Sequence, residues 1–326
     1  MRRREFITLF GGAGAWPLAA RAQQTAMPVV GFLSARATGD APHLLAAFRQ
    51  GLQDIGFTER QNVAIEYRFA GNQNERLPAL AADLVNHQVT MIAALTTPAA
   101  LAANAATTTI PVVFEVGGDP VQLGLVASLN RPGGNVTGVT QLSMEVAPKR
   151  LELLHELLPT ARVMALLVNP TYPVIAEPQS RLMLSAARTL GLELHPLNAR
   201  TEGDFDGVFS NLGQLRAGGL VISSDLFFTA RQEQLAALAL GHAVPAVYES
   251  REFTAAGGLM SYGGSTGDSY RLAGAYAGRI LNGEKPGELP VQQSTKVEMF
   301  LNLKTANALG ITVPLPLLGR TDEVIE

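Results

Sequence analysis

Ile110-Pro111-Val112-Val113-Phe114-Glu115 and Val244-Pro245-Ala246-Val247-Tyr248-Glu249 are two versions of one hexapeptide, an apolar run with Pro near its start and Glu at its end. Each closes a unit of the same design. The units open on Val29–Ser34 (VVGFLS) and on residues 163–169 (VMALLVN). Each continues with a helix ending in Gly (Gly56, Gly191), a strand and a second helix. A buried strand with a polar end follows (Leu95-Thr96-Thr97; Ile222-Ser223-Ser224-Asp225), and then a third helix. Val29 and Val163 lie 134 positions apart, Gly56 and Gly191 135, and Pro111 and Pro245 134. A single apolar run finds a partner easily by chance, whereas register held over three landmarks marks a duplication.

Working outward, short apolar runs alternate with helical periodicity from end to end. Strands are expected at 29–33, 63–69, 91–95, 112–114, 136–139, 163–168, 192–197, 219–222, 246–248 and 259–262. Between them apolar residues recur at three- and four-residue spacing, as at Leu44, Leu45, Phe48, Leu52 and Ile55. Such alternation predicts an α/β fold of two similar Rossmann-like lobes, each a parallel sheet flanked by helices, joined by a hinge. The first crossing is expected within residues 138–144. Lobe 1 then comprises 28–142 plus approximately 263–290, and lobe 2 comprises 143–262 plus approximately 291–326.

Composition removes several function classes. The chain has 326 residues, 25 basic and 28 acidic, with no Cys. It therefore has no thiol nucleophile, disulfide framework or Cys-ligated metal. The five His (His43, His87, His155, His195, His242) show no metal spacing, and neither a G-x-S-x-G elbow nor a Walker loop occurs. No catalytic residue, metal or cofactor is expected, and the chain reads as a non-enzyme. A net charge of −3 with 6% aromatics gives no footprint for nucleic acid.

The N-terminus reads as an address. Arg2, Arg3 and Arg4 precede a short apolar stretch broken by Gly11, Gly12, Gly14 and Pro17, and Ala20-Arg21-Ala22 is an A-x-A cleavage pattern. Arg3-Arg4-Glu5-Phe6-Ile7 matches the twin-arginine type of export signal. Residues 1–22 are thus expected to be removed, leaving a periplasmic chain without a lipid anchor and without Trp, since Trp16 is the sole tryptophan.

In open parallel sheets ligands bind beyond the carboxyl ends of the strands. Two lobes facing each other by those ends make a cleft, and the residues just past the strands become the candidate ligand contacts: Ser34, Thr96, Thr97, Ala99 and Asp119 from the first lobe, Asn169, Tyr172, Asp225, Tyr248 and Tyr262 from the second. Thr97-Pro98-Ala99-Ala100 predicts a helix start with Thr97 as its cap, presenting amide N–H groups suited to a carboxylate. Asp225 opposite would suit an amine, or would cap the helix that follows it. Gly117-Gly118-Asp119-Pro120 brings backbone close to a ligand or forms an ordinary turn. Tyr172, Phe227, Phe228, Tyr248 and Tyr262 are candidate aromatic walls. Glu115 and Glu249 are paired by the repeat, which explains them without acid–base chemistry.

The chain resembles the substrate-binding proteins of ABC transporters, in the branch of tryptophan/tyrosine-type uptake systems. The likeness covers nearly the whole length. It is carried by the MRRREFI start, Thr97-Pro98-Ala99-Ala100, Arg131-Pro-Gly-Gly-Asn-Val-Thr-Gly138, Gly257-Gly-Leu-Met-Ser-Tyr262, Asn302-Leu-Lys-Thr-Ala306 and Asp322-Glu-Val-Ile-Glu326. The resemblance implies a type I periplasmic-binding-protein fold that closes on a small ligand, an amino acid or related carboxylate, and presents it to a permease in the inner membrane. It implies a monomer in which Thr97 and the Ala99 amide hold a carboxylate, Asp225 holds an ammonium, and Asn169 and Tyr172 line the second lobe. Relatives commonly carry Asp-Pro where this chain has Asp225-Leu226. A sensing module for a receptor kinase, or an exported enzyme, are the alternative functions.

Overall fold

The computed structural model describes residues 27–326 except Leu142, so the export signal expected at 1–22 lies outside the described residues. The first lobe begins β1 (Val29–Ser34), α1 (Pro42–Asp54), β2 (Ala64–Phe69), α2 (Leu77–Asn86), β3 (Met91–Leu95), α3 (Thr97–Ala106), β4 (Val112–Val116), β5 (Val136–Thr140). The second runs α4 (Ala147–Leu157), β6 (Val163–Val168), α5 (Pro173–Thr189), β7 (Glu193–Asn198), α6 (Phe205–Leu215), β8 (Gly219–Ile222), α7 (Leu226–Thr229), α8 (Gln232–Gly241), β9 (Ala246–Tyr248), α9 (Arg251–Ala255), β10 (Met260–Gly264). The chain then continues through α10 (Thr266–Leu281), β11 (Gln292–Gln293), β12 (Val297–Asn302), α11 (Leu303–Ala308), α12 (Leu315–Leu318) and β13 (Glu323–Ile325).

These strands form two sheets, ordered β11-β5-β4-β3-β1-β2 and β13-β12-β10-β9-β8-β6-β7. All pairs are parallel except β10 with β12. The central strands read as unbroken apolar runs because both faces are covered. In β3, Met91, Ala93 and Leu95 pack with Phe48 of α1 and Tyr270 of α10, while Ile92 and Ala94 face Leu84 of α2 and Ala103 of α3. In β6, Met164, Leu166 and Val168 meet Leu154 of α4 and Met183 of α5, and Ala165 and Leu167 meet Phe209 of α6 and Leu235 of α8.

The lobes are linked three times: β5 to α4, β10 to α10, and β11 to β12. The Ser294 N–H donates to the Thr140 carbonyl (2.8 Å) and the Ser265 N–H to the Lys296 carbonyl (2.9 Å), so the crossing segments hold one another. The last return differs slightly from the boundary expected near residue 290. Gln292 and Gln293 pair with Val139 and Thr140, which keeps the chain in the first sheet until after β11. Helix α10 follows a second-lobe strand yet packs on α1 of the first. Glycines allow the close approach: a Cβ at Gly274 would lie 2.1 Å from the Phe48 carbonyl oxygen, and one at Gly51 1.8 Å from that of Arg271.

Candidate functional site

The carboxyl ends of β3 and β4 face those of β6, β8 and β9 across an interlobe cavity of about 540 Å³. Its first wall is the start of α3. The first helical bond runs from the Ala100 N–H to the Thr96 carbonyl, so Thr96, not Thr97, is the capping position. The Thr97 hydroxyl instead accepts from the Gly117 N–H (3.4 Å), joining the α3 start to the β4 loop. Thr96 Oγ1 accepts from the Ala35 N–H (3.3 Å).

The opposite wall is the loop between β8 and α7. Asp225 caps α7, accepting from the Phe227 N–H (2.8 Å), and Asn169 Nδ2 donates to the same Oδ1 (3.0 Å). Oδ2 receives no side-chain donor among the described residues. Burial raises the Asp225 carboxyl above its usual range against the pull of Asn169 and Phe227, and Glu249 adds to the rise.

The hinge end of the cavity is dense in charge. Glu115, at the end of β4, accepts from Gln141 Nε2 on the first crossing, and Ser143 and Thr266 hydroxyls meet Gln141 Oε1. Burial drives Glu115 up to about 7, outweighing the Gln141 bond and the Arg36 charge, with Glu249 pushing the same way. Arg150 of α4 is fully buried. It donates to the Ser143 carbonyl (2.7 Å) and to Ser224 Oγ (3.1 Å), and lies 4.0 Å from Glu249. One guanidinium therefore ties the first crossing to the second lobe's ligand loop. At the rim, Tyr172 lies against Asn74 of the other lobe, and burial raises its phenol despite that contact.

Of the residues expected from sequence, Thr96, Thr97, Asp119, Asn169, Tyr172 and Asp225 line the cavity. Asp119 Oδ1 accepts from the Val121 N–H (2.8 Å), the turn that its motif allowed. Four expectations are corrected. Ser34 is buried behind the wall, its hydroxyl accepting from the Arg36 N–H. Ala99 is fully buried in the α3 core face. Tyr248 is buried with its hydroxyl on Thr229 and the Asp225 carbonyl, propping α7 from behind. Tyr262 packs on the second-lobe core. Phe228 is core as well, leaving Tyr172 and Phe227 as the aromatic lining. Sequence reasoning passed over Arg36, Gln141 and Thr266. Arg36 sits two residues beyond β1 and was within reach of the strand-end rule. Gln141 and Thr266 become neighbours only through the hinge.

The sequence matches the family described as ABC transporter substrate binding protein over residues 40–325. A tyrosine-binding protein of Clostridioides difficile is 28% identical over 266 residues, 81% of this chain and 75% of that protein. Two solved structures share the fold. One is an ABC domain from Streptococcus pneumonia in complex with L-Trp: 22% identity, 91% of this chain and 99% of that one, TM-score 0.83. The other is a ligand-free, open substrate binding protein with adhesive properties from Clostridium difficile: 23% identity, 92% and 99% coverage, TM-score 0.67. Both the two-lobed α/β architecture and the cavity at the strand ends are those of a type I periplasmic-binding-protein fold, and with a family match spanning most of its length this chain belongs to the ABC transporter substrate binding proteins.

Proposed function

We propose that the chain captures an amino acid between its lobes, outside the cytoplasm, and hands it to an ABC permease. The N-terminal residues export it by the twin-arginine route, and it works as a monomer without enzymatic activity. Its ligand carries a primary ammonium held by Asp225 and a carboxylate held from the first lobe, with Tyr172 and Phe227 along the side chain. The observation that carries the reading is the surplus of carboxylates in the cavity, where Asp225, Glu115 and Glu249 are electrostatic neighbours. Three carboxylates against the guanidinium groups of Arg36 and Arg150 leave a place for one further cation, and an ammonium supplies it with hydrogen-bond donors. The volume falls within the range of small-molecule sites. The tyrosine-binding relative supports an aromatic amino acid.

The test is titration calorimetry of L-tyrosine and L-tryptophan against the wild-type chain and Asp225→Asn, which keeps a capping oxygen for α7. Wild type binds at least one of them. The variant binds it about 10- to 100-fold more weakly, the scale of a lost charged hydrogen bond. An unchanged affinity removes Asp225 from the site. Absence of heat and of thermal stabilisation with either amino acid overturns the amino-acid reading.

A further inference from the structure

Arg36 is a half-buried guanidinium in a ligand cavity whose hydrogen-bonding capacity is only partly used. It lines the cavity from the first lobe, and among the described residues no carboxylate forms an ion pair with it. Its Nε is buried without a hydrogen-bond partner. Burial alone would pull its pKa down, but the Tyr270 hydroxyl, Glu115 and Tyr248 outweigh that and leave it raised, so the charge persists at any physiological pH. The Tyr270 hydroxyl accepts from Arg36 while donating to the Leu95 carbonyl (2.8 Å), and Glu115 accepts from Gln141, so Arg36 has one neutral acceptor and no carboxylate in direct contact among the described residues. A guanidinium N–H held from water without an acceptor is costly; Arg150 Nε shares that state, but its other nitrogens are bonded to Ser143 and Ser224.

The backbone at Arg36 is fixed. Its N–H donates to Ser34 Oγ (3.3 Å), its carbonyl accepts from the Gly71 N–H (3.1 Å), and the Ala35 carbonyl accepts from the Asn72 N–H (2.8 Å). Arg36 interacts with Glu115, Glu115 with Glu249, and Glu249 with Asp225, so a cation and a row of acids share the hinge end of one cavity. The α3 start offers an anion fewer donors than a helix end ordinarily does: Ala99 is fully buried and position 98 is Pro, which lacks an N–H, while the Thr97 hydroxyl, accepting from Gly117, keeps its own proton to donate.

We infer that Arg36 is the anion-holding residue of the cavity and selects ligands bearing a carboxylate. The inference deepens the amino-acid reading, on which it rests only for its choice of probes. A planar fork of donors matches a carboxylate in two-point contact.

The experiment compares L-tyrosine, L-tyrosinamide and 3-(4-hydroxyphenyl)propanoate by calorimetry on wild type, Arg36→Met and Arg36→Lys, with melting temperatures taken to check folding. Wild type is expected to prefer L-tyrosine over the amide by about 30-fold or more. Arg36→Met should weaken L-tyrosine by about 30- to 100-fold while leaving the amide within about threefold, and Arg36→Lys should fall between. A methionine variant that keeps the preference for the acid overturns the inference. So does one that weakens acid and amide alike, the mark of a merely structural role. If wild type takes the deaminated acid but not L-tyrosine, and Arg36→Met loses it, the amino-acid reading falls and Arg36 stands. L-tryptophan and its amide replace the tyrosine pair if wild type binds only that amino acid; if wild type takes none of these carboxylates, both fall.

Discussion

Glu115 holds its proton more tightly in the folded chain than in an unfolded one. Burial takes it from an ordinary 4.5 to about 7, with Gln141 and Arg36 opposing and Glu249 assisting. Between those values the folded state binds the extra proton, so this residue's contribution to stability falls as pH rises through the window and levels off above about 7. A gap of that size corresponds to about 3 kcal/mol. Glu115→Gln, nearly isosteric, should match wild type near pH 5 and exceed it near pH 8 in urea midpoint. Identical pH slopes for the two proteins would show that Glu115 ionises as freely as a surface carboxylate. The repeat already marked Glu115 and Glu249 as equivalent, but not that both turn into one cavity. Position past a strand end is readable from sequence. The direction of the side chain is not, because neighbouring residues point to opposite faces. That is why Asp225 and Asn169 line the cavity while Ser34 and Tyr248 lie behind its walls.

At the scale of elements, the duplicated units were legible because their contacts are local: a strand, the helix after it and the next strand form one piece. The docking of α10 is not of that kind. It joins α1 across 217 positions, as the Arg271–Asp54 bond (3.0 Å) records, and no periodicity announces a partner so distant. What the sequence does carry is small residues at the contact, Gly51 and Gly274, whose meaning emerges only once the helices touch. Gly274→Ala should push the Phe48 carbonyl and splay α10 from α1, costing about 1–3 kcal/mol and several degrees of melting temperature. Gly207→Ala on exposed α6 meets nothing within 4 Å and serves as the control. Removing backbone freedom there should stabilise by about 0.5–1 kcal/mol. Calorimetric melting of both variants checks the pair; equal and small effects would mean that the α1–α10 contact yields without cost. The strands after α10 also escaped the sequence reading: β11 has two residues and β13 three, too short to show alternation, and the six-residue β12 was passed over.

For the whole molecule, the question is what holds the lobes together over the cavity. Leu226 of α7 packs against the first-lobe apolar cluster that includes Leu123, and His43 of α1 lies 3.1 Å from Glu252 of α9. That contact is half exposed and contributes little in salt. Leu226 is different, because its burial against the first lobe exists only while the lobes meet. A contact made only on closure adds its full free energy to the closed form, and ligand affinity scales with the population of that form. Truncating Leu226 to Ala should remove about 1 kcal/mol of apolar burial from the closed state alone, weakening ligand binding about fivefold. Melting of the ligand-free chain should hardly change, since an open lobe leaves Leu226 in water. Small-angle scattering should then show the same extended radius for both ligand-free proteins, and saturating ligand should bring both to the same compact radius. An unchanged affinity would place the closing force elsewhere, in the crossing segments around Gln141 and Thr266.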